Sequence, residues 1–213
     1  IGTDLLYASI TKSAGVISHS RLGNIEWRIV KNLMLGSIPA SFLMTYYLKG
    51  IDLYAYENVK IINFSLGVAL VLTSFAVILQ PLISKKSRTK PARATINTTI
   101  LTVLLGLSLG VLVTLTSVGA GAMGVTALLL LYPEMSIKKI IGTDIAHAVP
   151  LTLFAGLGHM NLGTVDTYLL LALLIGSIPG VSLGSNLSSK IDEKWLRYIL
   201  AVVLLIVGIQ LIR

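Results

Sequence analysis

The 213-residue chain has no cysteine, three histidines and nine acidic residues. The lack of cysteine excludes disulfides, thiolate metal sites and a cysteine nucleophile. Three histidines with no thiol partner give no basis for a transition-metal site. Phosphate-binding P-loop, HExxH and GxSxG patterns are missing, and no nucleophile–base pair stands out, so the sequence reads as a non-enzyme without a cofactor. Charge is scarce as well. Only 12% of residues are Asp, Glu, Lys or Arg, against roughly 25% in soluble domains.

Apolar sequence is abundant: 54% of the chain is hydrophobic and mean hydropathy is +0.86. Runs near the roughly 20 residues needed to cross a bilayer as helix predict membrane segments at residues 3–20, 29–48, 61–82, 96–117, 119–132, 141–158, 165–187 and 195–212. The formal net charge of +8 would suggest nucleic acid in a soluble protein. Here Lys and Arg sit mainly in short connections, so the charge reports orientation in a lipid bilayer, and nucleic acid is not an expected partner. If loop 83–95 is cytoplasmic and 119–132 is a return pass, 13 of the 17 basic residues lie inside, three outside, and Lys12 lies within a segment.

An internal repeat sets the architecture. Residues 1–50 align without a gap on residues 141–190, with 14 identities. IGTD at residues 1–4 recurs at 141–144, GSIP at 36–39 recurs at 176–179, and His19 falls on His159. The expected fold is all-α: a polytopic transmembrane bundle of two repeats, residues 1–92 and 93–213, in inverted topology with broken or re-entrant helices. Charge supports inversion, because loop 19–28 carries two Arg while its counterpart 159–166 carries no basic residue. The second copy has about forty residues before its IGTD and the first has none, which predicts a longer parent chain.

Inverted repeats with interrupted helices place a transporter's substrate site near the midplane. The small-residue break at 117–124 puts Gly119, Gly121 and Gly124 ahead of a short helix, whose free N–H groups would suit an anion; such residues also simply let helices pack closely. Lys12, ten residues into its segment, either supplies positive charge to an anion or snorkels to the interface. Asp4 and Asp144 hold equivalent segment starts, where with Thr3 and Thr143 they would either cap helices or carry a proton. His147, one turn from Asp144, could titrate near neutral pH. His19 and His159 end their segments, where they favour the helix dipole. Pro39, Pro150 and Pro179 fall inside helices and predict kinks.

GTDIAHAVPLTLFAGLGHMNLGTVD (residues 142–166) and GSIPG (176–180) resemble the second half of the TauE/SafE family, while GTDLLYASITK (2–12) and LGNIEW (22–27) are similar to its first half. SVGAGAMGV (117–125) is similar to the glycine-rich stretch that family carries in each half. The resemblance spans essentially the whole chain; the first copy's glycine-rich stretch is absent from it. It implies a multi-pass protein of the bacterial inner membrane that moves sulfite, organosulfonates or other small sulfur-containing anions by secondary transport, coupled to a proton or another ion. A homo-oligomer is compatible with this. The alternative is a non-transporting membrane factor for assembly or sensing.

Overall fold

The computed structural model describes residues 1–51, 55–87, 96–119, 121–188 and 192–213. Among them are eight helices and no strand: α1 (Gly2–Arg21), α2 (Trp27–Lys49), α3 (Tyr56–Ser87), α4 (Ile96–Thr116), α5 (Ala122–Leu131), α6 (Ile137–Asn161), α7 (Thr167–Ser188) and α8 (Glu193–Ile212). The spans of α1, α2, α4, α7 and α8 follow the apolar runs to within about two residues, while α3 and α6 extend further at both ends. Four helices, α3, α4, α6 and α8, are long and apolar enough to cross a membrane. Their outward residues, such as Leu104, Ile199 and Ile206, are half exposed, and an apolar exterior of this kind is matched to lipid rather than water.

Contacts along the chain fix the direction of each helix. Gly2 of α1 abuts His159 at the end of α6, and His19 at the end of α1 abuts Gly142 near the start of α6. Those two helices are therefore antiparallel. Helix α3 meets α8 in the same sense: Gly67 lies against Gly208 and Ile212, while Ser74 Oγ donates to the Ala201 carbonyl at 2.8 Å. Helix α2 runs parallel to α4, because Gly106 faces Leu33, Gly110 faces Ser37, and Thr114 Oγ1 donates to Ser41 Oγ at 2.8 Å. Close approach of backbones is what the small residues provide here: a β-carbon at Gly36 would overlap the Val103 carbonyl oxygen, and one at Gly106 the Leu33 carbonyl oxygen. In an apolar solvent such contact replaces the hydrophobic drive between helices.

The break after α4 reverses the chain. Ser117, Gly119 and Gly121 all have positive φ, of 61°, 119° and 136°. Helix α5 has 10 residues, about 15 Å of rise, too short to span a bilayer. It returns alongside α4, since Tyr132 just past its end hydrogen-bonds through its hydroxyl to Thr102 near the start of α4 at 2.6 Å. A cluster of Ile29, Leu33, Val125, Leu128, Leu129 and Ile140 seals this end of the bundle.

Two expectations change. Helix α6 begins at Ile137, not near residue 141, because Ser136 caps it by accepting from the Lys139 N–H at 3.4 Å. Asp144 thus lies two turns inside the helix and cannot cap it. Asp4 does lie in the first turn of α1, but its N-cap is Ile1 and no side chain caps it. The proline positions fall inside helices as expected, Pro39 in α2, Pro150 in α6 and Pro179 in α7, with Pro81 in α3 in addition. Most of loop 83–95 lies outside the described residues.

Candidate functional site

Threonines of the two IGTD words do the capping, but on neighbouring helices. Thr143 Oγ1 accepts from the backbone N–H of Glu26, the residue before α2, at 3.0 Å. Thr3 Oγ1 accepts from the N–H of Asp166, the residue before α7, at 2.9 Å. The Asp166 carboxylate in turn accepts from the Leu169 N–H at 2.9 Å, as an N-cap does. The two bonds are equivalent under the offset of 140, since Thr3 aligns with Thr143 and Glu26 with Asp166. They pin the starts of α2 and α7 to α6 and α1, which orients everything along those four helices.

From the Thr143 pin inward, polar side chains and close contacts of α1, α2 and α5 converge on α6. Asp144 is 1% exposed and His147 is fully buried. A β-carbon on Gly124 would overlap Asp144 Oδ1, so α5 presses its first turn directly against the carboxylate. Oδ1 has no hydrogen-bond partner, and neither does His147 Nδ1. The other ring nitrogen of His147, Nε2, shares a 2.8 Å hydrogen bond with Ser37 Oγ of α2. Lys12 of α1 lies within electrostatic reach of Asp144, His147 and Asp4. By the antiparallel register of α1 on α6, Lys12 and His147 both sit near mid-length of their helices.

Of the residues picked out by sequence, Lys12, Asp144, His147 and Gly124 come together here, with Thr143 beside Asp144 serving as the pin for α2. Gly121 is the N-cap of α5, in a conformation only glycine adopts readily, with nothing within 4 Å of where a β-carbon would be. Gly119 is turned instead toward Leu112 of α4. Asp4 stands apart: it is exposed, and Ser117 Oγ donates to its Oδ2 at 2.5 Å. The break therefore touches both IGTD words, Gly124 at the second and Ser117 at the first. His159 also departs from a simple dipole role. It is buried, sharing hydrogen bonds with Thr164 Oγ1 at 2.9 Å through Nδ1 and donating to the Thr114 carbonyl at 2.9 Å through Nε2.

Sequence reasoning missed Ser37 and Ser117. The signal for Ser37 was its place inside the repeated GSIP word, in mid-helix, where a hydroxyl needs a partner. The cavities found elsewhere in the bundle include one of about 410 Å³ lined by Leu48, Val59, Leu115, His159 and Asp166. Among the described residues no cluster of three His, Asp or Glu could hold a metal ion.

Long apolar helices, a half-helix that returns after a glycine-rich break and buried ionisable groups against its first turn define an integral membrane protein of the multi-pass class. The comparison with known families is specific: the sulfite exporter TauE/SafE family matches residues 1–211. The chain belongs to that family and is a membrane transporter. Curated relatives agree. It is 39% identical over 216 residues to "Probable membrane transporter protein YjnA" of Bacillus subtilis (strain 168), covering 100% of this chain and 84% of that protein. It is 24% identical over 212 residues to "Probable membrane transporter protein YdhB" of the same organism, covering 100% of this chain and 83% of that one. No solved structure matches.

Proposed function

We propose that the protein is a secondary transporter of small anions in the bacterial inner membrane, and that its substrates are sulfite, organosulfonates or related sulfur-containing anions. The observation that carries this is the position of Lys12: a cation at mid-length of α1, within electrostatic reach of the buried Asp144 and His147 of α6, where Gly124 of α5 also packs. A Lys inside a membrane segment is costly and marks a substrate or ion pathway by default. The first N–H groups of a half-helix add partial positive charge aimed at the same place. Gly121 and Gly124 leave backbone rather than side chains at that tip. Thr143, Asp144 and His147 bound the site from α6, and Gly119 and Asp4 belong to its outer approach.

The antiparallel pairs α1/α6 and α3/α8 support an inverted arrangement of repeats 1–92 and 93–213, in which one half rocks against the other around a fixed site. Exposed Arg21, Arg28, Lys138, Lys139 and Lys194 cluster at the end where α2 and α6 begin, which favours that end as cytoplasmic.

The test is exchange of radiolabelled sulfite, thiosulfate and isethionate in proteoliposomes holding the purified protein. Lys12→Met is expected to lower exchange at least tenfold with insertion intact, and Lys12→Arg to keep part of it, since charge remains while geometry changes. Exchange by the Met variant equal to wild type removes Lys12 from the site; no exchange of any of these anions by the unaltered protein refutes the substrate class.

A further inference from the structure

Of the charged groups in this bundle, Asp144 is the one that an anion site has no evident use for. It is buried, carries an oxygen without a hydrogen-bond partner, and lies against the very turn of α5 where the anion is placed. A carboxylate beside an anion site repels the anion. This inference rests on the anion-transport reading above.

We propose that Asp144 and the transported anion compete for the Lys12 ammonium, so that each anion bound requires one proton taken up by Asp144, and the protein is an obligatory proton–anion symporter. In the empty site the ammonium offsets the carboxylate, and the interior is neutral. An arriving anion makes the sum negative in a medium of low dielectric unless one negative charge is removed. Protonation of Asp144 removes it. The proton comes from the solution that supplied the anion, resides on the Asp144 carboxyl during reorientation of the halves, and leaves to the opposite solution once the anion has gone and Lys12 again faces the carboxylate. A monovalent anion then crosses without net charge movement.

The surroundings allow this assignment. The titratable groups on the elements packed against Asp144 are Lys12 of α1, within electrostatic reach of it; Asp4 and His19 at the two ends of that helix, His19 lying against Gly142; Glu26 before α2, whose N–H is held by the neighbouring Thr143; and His147 on α6 itself. Helix α5 brings Gly124, with no titratable group. Asp4 is the equivalent acid in the first copy, but it is exposed and accepts from Ser117 Oγ, away from the first turn of α5. His147 shares a hydrogen bond with Ser37 through Nε2, and protonating its unpartnered Nδ1 would place a second buried cation beside Lys12. Asp144 is left as the group whose charge must change.

The test uses the full chain in proteoliposomes with a trapped pH dye, and methanesulfonate and isethionate as probes, because both stay monovalent anions and carry no proton themselves. Anion added outside is expected to acidify the lumen by one proton per anion. The external KM should fall about tenfold for each unit the pH is lowered, while Asp144 is ionised in the free protein. Asp144→Asn should abolish both lumenal acidification and the pH dependence of KM, and Asp144→Glu should keep both. Anion uptake by the unaltered protein without proton uptake overturns the proposal while leaving anion transport standing, as does an Asp144→Asn protein with unchanged acidification. A folded Asp144→Asn protein that binds neither probe at any pH also overturns it, by making Asp144 structural. Should that variant fail to fold, the proton-to-anion ratio of the unaltered protein decides alone. Failure of the unaltered protein to exchange either probe overturns this proposal, and failure with sulfite as well refutes the transport reading.

Discussion

Gly124→Ala tests the contact on which the site is built. A β-carbon at 124 would overlap Asp144 Oδ1, and an overfilled, buried contact costs about 1–3 kcal/mol. Working the other way, alanine in place of glycine within a helix gains about 0.5–1 kcal/mol. The net expected loss is about 1 kcal/mol, which for a chain of this size lowers Tm by roughly 2–4 °C. The sharper result comes in an Asp144→Ala background. There the overlapping carboxylate is gone, only the helical gain is left, and Gly124→Ala should raise Tm by roughly 1–4 °C. The sign reverses, and the coupling between the two positions is the steric cost itself. Tm is read on purified protein in detergent, with Gly15→Ala as control, since a β-carbon there meets only Ile145 Cγ2 at an ordinary 3.4 Å. A change of the same sign and size in both backgrounds refutes the contact between α5 and Asp144.

Further outcomes follow from the pins and the helix directions. Thr3→Val and Thr143→Val each remove the acceptor of one helix-start N–H and should cost about 0.5–1.5 kcal/mol, seen as a Tm fall of roughly 1–6 °C; no fall in either would make these bonds incidental. In this cysteine-free chain, single cysteines at Glu134 and Asn161, both exposed and at opposite ends of α6, should react with an impermeant thiol reagent from opposite sides of the membrane. Labelling of both from one side removes α6 as a membrane span.

Much of this architecture was legible because hydropathy and repetition are read directly from sequence. The limits of α1, α2, α4 and α8 fall within two residues or so of the apolar runs, and the return of α5 followed from its shortness after a glycine-rich break. Residues that depend on side-chain partners were less visible. Nothing local shows that Ser136 starts α6 a full turn before IGTD, because that signal competes with a stronger-looking Thr-Asp pair that is occupied elsewhere. Thr3 and Thr143 looked like caps of their own helices, whereas only the packing of α1 against α7 and of α6 against α2 reveals which N–H groups they hold. Ser37 reaching His147 needs two helices in register.

Why one four-residue word yields two unlike acids is answered by what packs on each. Both copies of IGTD use glycine to admit a neighbouring chain: Gly2 meets His159 and Val165, and Gly142 meets Asn24 and His19. Both use threonine as a pin. The aspartates then diverge, because Asp144 meets the first turn of α5 and is sealed from solvent, while Asp4 meets Ser117 and remains exposed. The companion residues diverge in the same way: Lys12 of the first copy aligns with Thr152 of the second, whose hydroxyl merely donates back to the Ala148 carbonyl at 2.8 Å. A symmetric backbone therefore carries an asymmetric charge, one cation from the first repeat opposed to one buried acid from the second. For a site that must be approached from both faces in turn, this matters. Under the proposed cycle, the backbone would present equivalent paths to the two solutions, while the single Lys12–Asp144 relation would keep one binding event, and one change of charge, per cycle.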